Sequence, residues 1–419
     1  MGALAGQHWE TALKATGGPG EGPLAVGIIT WSYPPEKSGL AVAAREIAQS
    51  LAAQGHDVRV LTLDRSGRAT DGTVEVTGVA DDLTLALRVM RRLPVIGHLA
   101  APLAFRSIIR REHRRRPFDV IEGTNWYAPL GLAANTGIPL VTRCSSPVAE
   151  TLEQPDTLRN RLDGMAARWL EAASARGSAG LISNSREHGR KIAALYEVPA
   201  PPCAEHALIG LSLAPEFLAR ARSAGFPDPA SERIEVLFVG RPELRKGFDA
   251  VARAAQLLRD HPVDFRLVGV TRKDVEAATG APAGGNLHCH HRLDQDDLLA
   301  AFEGAHVVLC PSRYESFGLV YQEAMAFGRV VIACAEDPSA REFVGETDGG
   351  MLVGSCEGDA IVDMLAKLLA DRSLITTWRG KALLAAGQFD RISLAKQTVA
   401  AYRNAIQRSG IGSRSAASS

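Results

Sequence analysis

Residues 234–260 read IEVLFVGRPELRKGFDAVARAAQLLRD: a short apolar run, a Gly/Pro turn carrying cations, then apolar residues at helical spacing. An apolar run of this length bounded by turn residues reads as a buried strand, and the 3.6-residue period after it as a helix packed on that strand. The grammar returns in DFRLVGV (264–270), HVVLCPS (306–312) and RVVIAC (329–334). Strands apolar at nearly every position are buried on both faces, which is the signature of a parallel sheet between helices.

Working outward, the first half repeats the pattern. LAVGIIT (24–30) leads through a Pro/Gly loop to a helical stretch from about Ala41 to Ala53, the stop Gly55 and the strand VRVLTL (58–63). FDVIE, IPLVT and GLISNS continue the sheet. The fold class expected is therefore α/β, with two Rossmann-like doubly wound parallel-sheet domains facing across a cleft. The expected boundaries are a mobile extension at 1–22, a first domain at 23–210, a second at 211–393 and a flexible tail at 409–419. Pro199 to Asp228, with PAPP and FPDPA, reads as the stiff, non-helical linker. A final helix, about 394–407, is placed to pack back onto the first domain.

Composition narrows the function. Lys plus Arg and Asp plus Glu both number 47, so no global field attracts nucleic acid. The 46% apolar and 22% charged fractions are those of a compact globular chain. Six scattered cysteines show no metal or redox spacing, and no run reaches a membrane span or forms a signal peptide, so a cytoplasmic location is expected. Cys310 and Cys334 lie in apolar runs and read as strand core.

In open α/β sheets ligands bind beyond the carboxyl ends of the strands, so the loops after LAVGIIT, IEVLFVG and HVVLC should carry the chemistry. In the second of these, Arg241 and Lys246 bracket a turn before an electropositive helix N-terminus, the arrangement of a phosphate site. They would stabilise charge developing on a diphosphate leaving group; the alternative is a solvated basic turn. In the third, PSRYESFGLVYQEAMAFG places Glu315 before and Glu323 on a helix, with Gly318 permitting close backbone approach. With the helix running from Phe317, the two carboxylates lie roughly 12 Å apart along its axis. That exceeds the roughly 5 to 9.5 Å of paired glycosidase carboxylates. They suit two hydroxyl-bearing parts of one ligand.

Together VGRPELRKG, the Glu315–Glu323 spacing and YPPEKSGLAVAAREIAQSLAAQGHDVRVLT (33–62) resemble the retaining family 4 glycosyltransferases of the GT-B fold, over most of the chain. The resemblance implies that Arg241 and Lys246 bind the donor diphosphate, Glu323 the ribose, and Glu315 the donor sugar. It further implies backbone N–H contacts from Phe317, Gly318 and Leu319, a base beside Arg292 and Leu293, and Gly39 in the acceptor-side loop. Retention without a metal is implied, the leaving phosphate helping to accept the proton. Two departures stand out: Ser38 precedes Gly39 where the family pairs glycines, and Cys144 or Ser145 occupies the place of a catalytic-side His.

Trp31, Tyr33, Asn125, Trp126 and Tyr127 fall in first-domain loops, where aromatic faces can pack on an acceptor or sit in the core. NLHCHH (286–291) offers no convergent metal set, because alternate strand residues face opposite ways. The arginines of FRSIIRREHRRRP (105–117) read as a solvated helix face in preference to a membrane-surface one. The expectation is a hexosyl-type transfer from a nucleoside-diphosphate sugar, UDP- or GDP-linked, to a small polar acceptor, with no cofactor, metal or nucleic acid. The alternatives are a peripheral enzyme with a lipid acceptor, a non-catalytic nucleotide-sugar binder and a nucleotide-sugar epimerase.

Overall fold

The computed structural model describes residues 22–36, 38–151, 157–388 and 390–410. Residues 1–21 of the expected extension and 411–419 of the expected tail lie outside them.

The first sheet has eight strands: β1 (Ala25–Thr30), β2 (Asp57–Thr62), β3 (Arg68–Asp71), β4 (Val74–Gly78), β5 (Val120–Thr124), β6 (Leu140–Cys144), β7 (Gly180–Ser183) and β8 (His206–Leu208). Their order is β3-β4-β2-β1-β5-β6-β7-β8. All neighbours are parallel except β3 and β4. This antiparallel edge was not legible, because the exposed RATD of β3 carries no apolar period.

The second sheet is wholly parallel. It contains β9 (Ile234–Val239), β10 (Val263–Val268), β11 (Leu287–His290), β12 (Val307–Cys310), β13 (Val330–Cys334) and β14 (Met351–Val353), in the order β11-β10-β9-β12-β13-β14. Each sheet therefore reverses its winding at one central strand. β1 lies between β2 and β5, and β9 between β10 and β12, so a crevice opens at the carboxyl ends of β1/β5 and of β9/β12.

The stretch expected to be a stiff linker is more ordered than its prolines implied, for it holds β8 and a helix, Pro215–Ser223. Pro215 stands in the first turn of that helix, where a missing N–H costs nothing. Ile209, Leu211, Leu213 and Phe217 are buried and join the apolar cores of the two sheets. Phe217 meets Phe302 and Phe327 edge-on, at 6.4 and 5.4 Å between ring centres. The final helix, Arg391–Ser409, packs on the helix Gly39–Ala52 and on β7. Its Tyr402 hydroxyl donates to Glu122 of β5 at 2.9 Å, and its Thr398 hydroxyl accepts from Arg143 of β6 at 3.0 Å.

Candidate active site

The loop after β9 ends in a 3-10 turn, Leu244–Lys246, and Gly247 in the left-handed region (φ +68°), from which the helix Phe248–Leu257 departs. A Cβ on Gly247 would lie 2.0 Å from the Pro311 carbonyl oxygen, so glycine is what lets this loop press against the one after β12. Gly247→Ala is expected to lower stability by about 1–3 kcal/mol, read by urea unfolding. A midpoint equal to wild type would show that the two loops are not in forced contact.

That contact assembles the charges. Lys246 Nζ meets Glu315 Oε1, while Arg245 Nη1 lies 3.4 Å from Glu315 Oε2 and donates to the Tyr314 carbonyl at 3.1 Å. The Ser312 hydroxyl donates to Glu315 Oε1 at 2.9 Å. Burial raises the Glu315 carboxyl, but Lys246 and Arg245 outweigh it and hold it below the usual carboxylate range. The side chain of Glu323, on the second turn of the helix Leu319–Ala326, makes no hydrogen bond to any described residue. Burial pushes its carboxyl up to about 7, against a partial pull from Lys246. Lys246 thus acts electrostatically on both carboxylates.

The helix begins at Leu319, two residues later than its apolar pattern suggested, so helical spacing does not set the Glu315–Glu323 separation. Gly318 (φ +76°) caps it without a side-chain bond, and its first turn holds no acidic residue. The positive end of the helix therefore stands uncompensated at the crevice. Behind it Asp337 ties the parts together. Its Oδ1 accepts from Glu315 N at 2.8 Å, and its Oδ2 from the Tyr321 hydroxyl at 2.6 Å. Burial, then the Glu315 charge, push Asp337 up to about 6.

Of the other expected donor contacts, Phe317, Gly318 and Leu319 lie together at the start of that helix, and the rest come from other loops. Arg241 is 74% exposed and pairs with Glu243 at 2.8 Å. Phe317 is buried, with its ring 4.8 Å from Phe343. Leu319 opens the helix, whereas Arg292 and Leu293 follow β11 at the sheet edge, two strands from β9. Gly39 is exposed at the start of the helix Gly39–Ala52, facing open space. Ser38 has a local reason: it is the N-cap, its hydroxyl accepting from Ala41 N at 3.1 Å.

Two first-domain assignments are corrected. Tyr33 is buried, its hydroxyl donating to Asp71 at 3.0 Å, and so it offers no face to an acceptor. Asn125 is fully buried and fastens the loops after β5 and β6: its Oδ1 accepts from Ser145 N at 2.6 Å, and its Nδ2 donates to the Tyr196 hydroxyl at 2.8 Å. Ser145, half-buried, adds a 3.0 Å hydroxyl contact to Thr124. Trp126 does reach a cavity. With Trp31, Tyr127 and His98 it lines a space of about 670 Å³, into which Arg91 and Arg159 also project. Tyr127 takes a left-handed backbone (φ +50°), and its N–H donates to the buried Glu171 at 2.9 Å.

Where the resemblance implies a histidine, Cys144 is buried and its thiol is pushed up to about 12, which leaves no nucleophile. A histidine arrives from elsewhere. His188 lies fully buried, with Nε2 3.1 Å from the Cys144 carbonyl and Nδ1 2.9 Å from the Tyr314 hydroxyl. Burial lowers it to about 4, so the neutral ring donates from Nε2 and accepts from Tyr314 at Nδ1. It thereby joins the first sheet to the loop after β12. NSREHG gave no hint of this, since only the tertiary fold brings Tyr314 alongside. Among the described residues, those of NLHCHH included, no group of three His, Cys, Asp or Glu side chains is placed to hold a metal.

Two family models match this arrangement, Glycosyl transferase 4-like domain over residues 38–208 and Glycosyl transferases group 1 over 223–382. The chain belongs to the group 1 glycosyltransferases. A glycogen synthase of Mycobacterium tuberculosis (strain ATCC 25618 / H37Rv) is 29% identical over 332 residues, 73% of this chain and 76% of its own. A D-inositol 3-phosphate glycosyltransferase of Arthrobacter sp. (strain FB24) is 27% identical over 404 residues, 89% and 91% of the two chains. The solved sucrose-phosphate synthase of Thermosynechococcus elongatus superposes with a TM-score of 0.69 at 19% identity, covering 90% of this chain and 98% of its own. The group 1 glycosyltransferase described here therefore has the GT-B fold.

Proposed function

We propose that this glycosyltransferase moves a sugar, with retention of configuration, from a nucleoside diphosphate to a hydroxyl-bearing acceptor held in the Trp31–Trp126–Tyr127 cavity. The observation that carries the reading is Lys246, set between Glu315 and Glu323 beside the uncapped N-terminus of the helix Leu319–Ala326. A cation and a helix end aimed at one spot are what a departing diphosphate requires, and they supply the charge a divalent metal would otherwise bring. The acceptor attacks from the face the phosphate leaves, and that phosphate takes the proton. No enzyme nucleophile takes part.

Glu323 accepts from the ribose hydroxyls in this scheme, which ties donor binding to pH. Its carboxyl must ionise to serve, so donor affinity rises as pH increases from 6 to 8, by about tenfold for a group titrating near 7. Its effect on folding has the opposite sign: a raised pKa contributes stability that is full below the unfolded value and lost as pH rises through about 7. Isothermal titration with UDP and GDP across this range checks both the base and the slope. The slope should flatten in Glu323→Gln; an equal slope there would assign it to the diphosphate's own titration.

The two relatives bear the names of unlike transfers, so the acceptor must be sought in this chain's own cavity. Its aromatic and arginine walls support an acceptor with apolar and anionic parts over the small polar one that the sequence favoured. A cytoplasmic site of action belongs to the same reading, since all six cysteines are free thiols. The test of the whole is a thermal-shift screen with UDP, GDP, ADP, CMP and dTDP. A selective shift lost in Lys246→Ala is expected; no shift with any of them would return the chain to a binder of something else.

A further inference from the structure

We propose that the surface at the mouth of the Trp31–Trp126–Tyr127 cavity docks on an anionic lipid membrane and so receives a lipid-borne acceptor. This rests on the acceptor reading above and names its substrate class. The surface comes from two segments, residues 85–96 and the helix Leu158–Arg176, joined where Asp163 accepts from Val95 N at 2.8 Å and lies 3.1 Å from His98 Nε2. Both present large apolar side chains to solvent: Leu85 is 80% exposed, Leu158 72% and Trp169 66%, and Leu93, Ile96 and Met165 are exposed beside them. A soluble protein rarely spends its apolar residues in one such patch unless something covers it.

Charge identifies the occupant. Residues 85–96 and 157–169 contain six arginines and one acid, Asp163, which already serves the junction. Arg91, Arg92, Arg159 and Arg161 make no ion pair with any described residue, and all four are exposed. The arginine run at 105–117, which first suggested a membrane, differs on this count. There Arg111 pairs with Asp82 at 2.7 Å, and Arg115 and Arg116 with Glu75 at 3.0 Å each. Three of the six arginines of that run are thus paired, whereas none of the six on the apolar face around the cavity makes an ion pair with a described residue. Trp and Leu side chains seat at the acyl boundary while Arg stems reach up to headgroup phosphates, so a single anionic bilayer satisfies both halves of the patch. A second copy of the chain would satisfy only the apolar half, setting arginine against arginine.

The experiment is co-sedimentation of the full chain with vesicles of phosphatidylcholine alone or with one third phosphatidylglycerol. Binding to the anionic vesicles only, weakened by salt, is expected. Leu158→Glu with Trp169→Glu, and separately Arg161→Glu with Arg168→Glu, should each weaken it at least tenfold, at roughly fivefold or more per side chain. Arg110→Glu on the other helix should leave it unchanged. The thermal shift with nucleoside diphosphates should persist in every variant; its loss from wild type would sink the donor reading and leave the docking result standing. Equal binding to neutral vesicles, no binding, or a dimer that Leu158→Glu/Trp169→Glu dissolves would each overturn the proposal.

Discussion

Lys246→Ala is expected to lower kcat/KM for sugar transfer by roughly 10²–10³-fold with the fold intact. The chain survives the loss because Glu315 is not orphaned: Arg245 at 3.4 Å and the Ser312 hydroxyl at 2.9 Å remain on its carboxylate. What disappears is the cation beside the helix end, where in the proposed reaction charge grows as the sugar–phosphate bond breaks. Since that charge is larger in the transition state than in the bound donor, kcat should fall more than KM rises. Arg241→Ala should cost less, for its guanidinium is 74% exposed and its field is screened by water. Steady-state kinetics with saturating acceptor, and circular dichroism to confirm folding, decide the matter. A kcat/KM within threefold of wild type would remove Lys246 from the chemistry.

The contrast between those two cations shows how far the sequence could be read. The strands β1, β2, β9, β10, β12 and β13 were legible because each is a short, largely apolar run that ends in a polar, Gly- or Pro-containing loop, and such runs have few alternatives to burial. Lys246, Glu315 and Glu323 were legible as a spacing, but the spacing carried no depth. It ranked Arg241 with Lys246, whereas the fold leaves one in solvent and draws the other against Glu315. Arg245 lay within the same seven residues and was passed over, because the 3-10 turn that precedes Gly247 is what brings both adjacent cations onto Glu315.

Asp337 had a local signal, an Asp before Pro at a helix start, and that signal predicts a cap. It says nothing of Glu315 and Tyr321, which reach the same carboxylate from the loop after β12 and from the helix that follows it. The acceptor side failed in the opposite direction. Tyr33 and Asn125 had the composition of a binding loop, yet partners far along the chain, Asp71 and Tyr196, fix both in the interior. The exposed apolar residues at 85–96 and 158–169 were invisible for a similar reason, since a helix period reports an apolar stripe without saying what covers it.

Arg143→Ala is expected to destabilise the chain by about 3–5 kcal/mol, the largest loss of folding energy among the changes considered. Arg143 and Glu122 pair at 2.8 Å on neighbouring strands of the first sheet, and both are buried. Truncating the arginine would strand the carboxylate in the core with only the Tyr402 hydroxyl at 2.9 Å, while Thr398 would lose its donor. Tyr402 and Thr398 belong to the final helix, so the damage should extend to its docking and appear as early protease cleavage near residue 390. The pair is not a stabiliser in itself, because two charges removed from water repay little more than their desolvation. Replacing the whole set with apolar residues, Arg143→Met with Glu122→Leu and Tyr402→Phe, should therefore recover most of the lost stability. Urea unfolding of the single and triple variants measures both. Should the triple variant be no more stable than Arg143→Ala, the ion pair would be contributing net stability of its own, and the final helix would be held by charge and not by its buried apolar face.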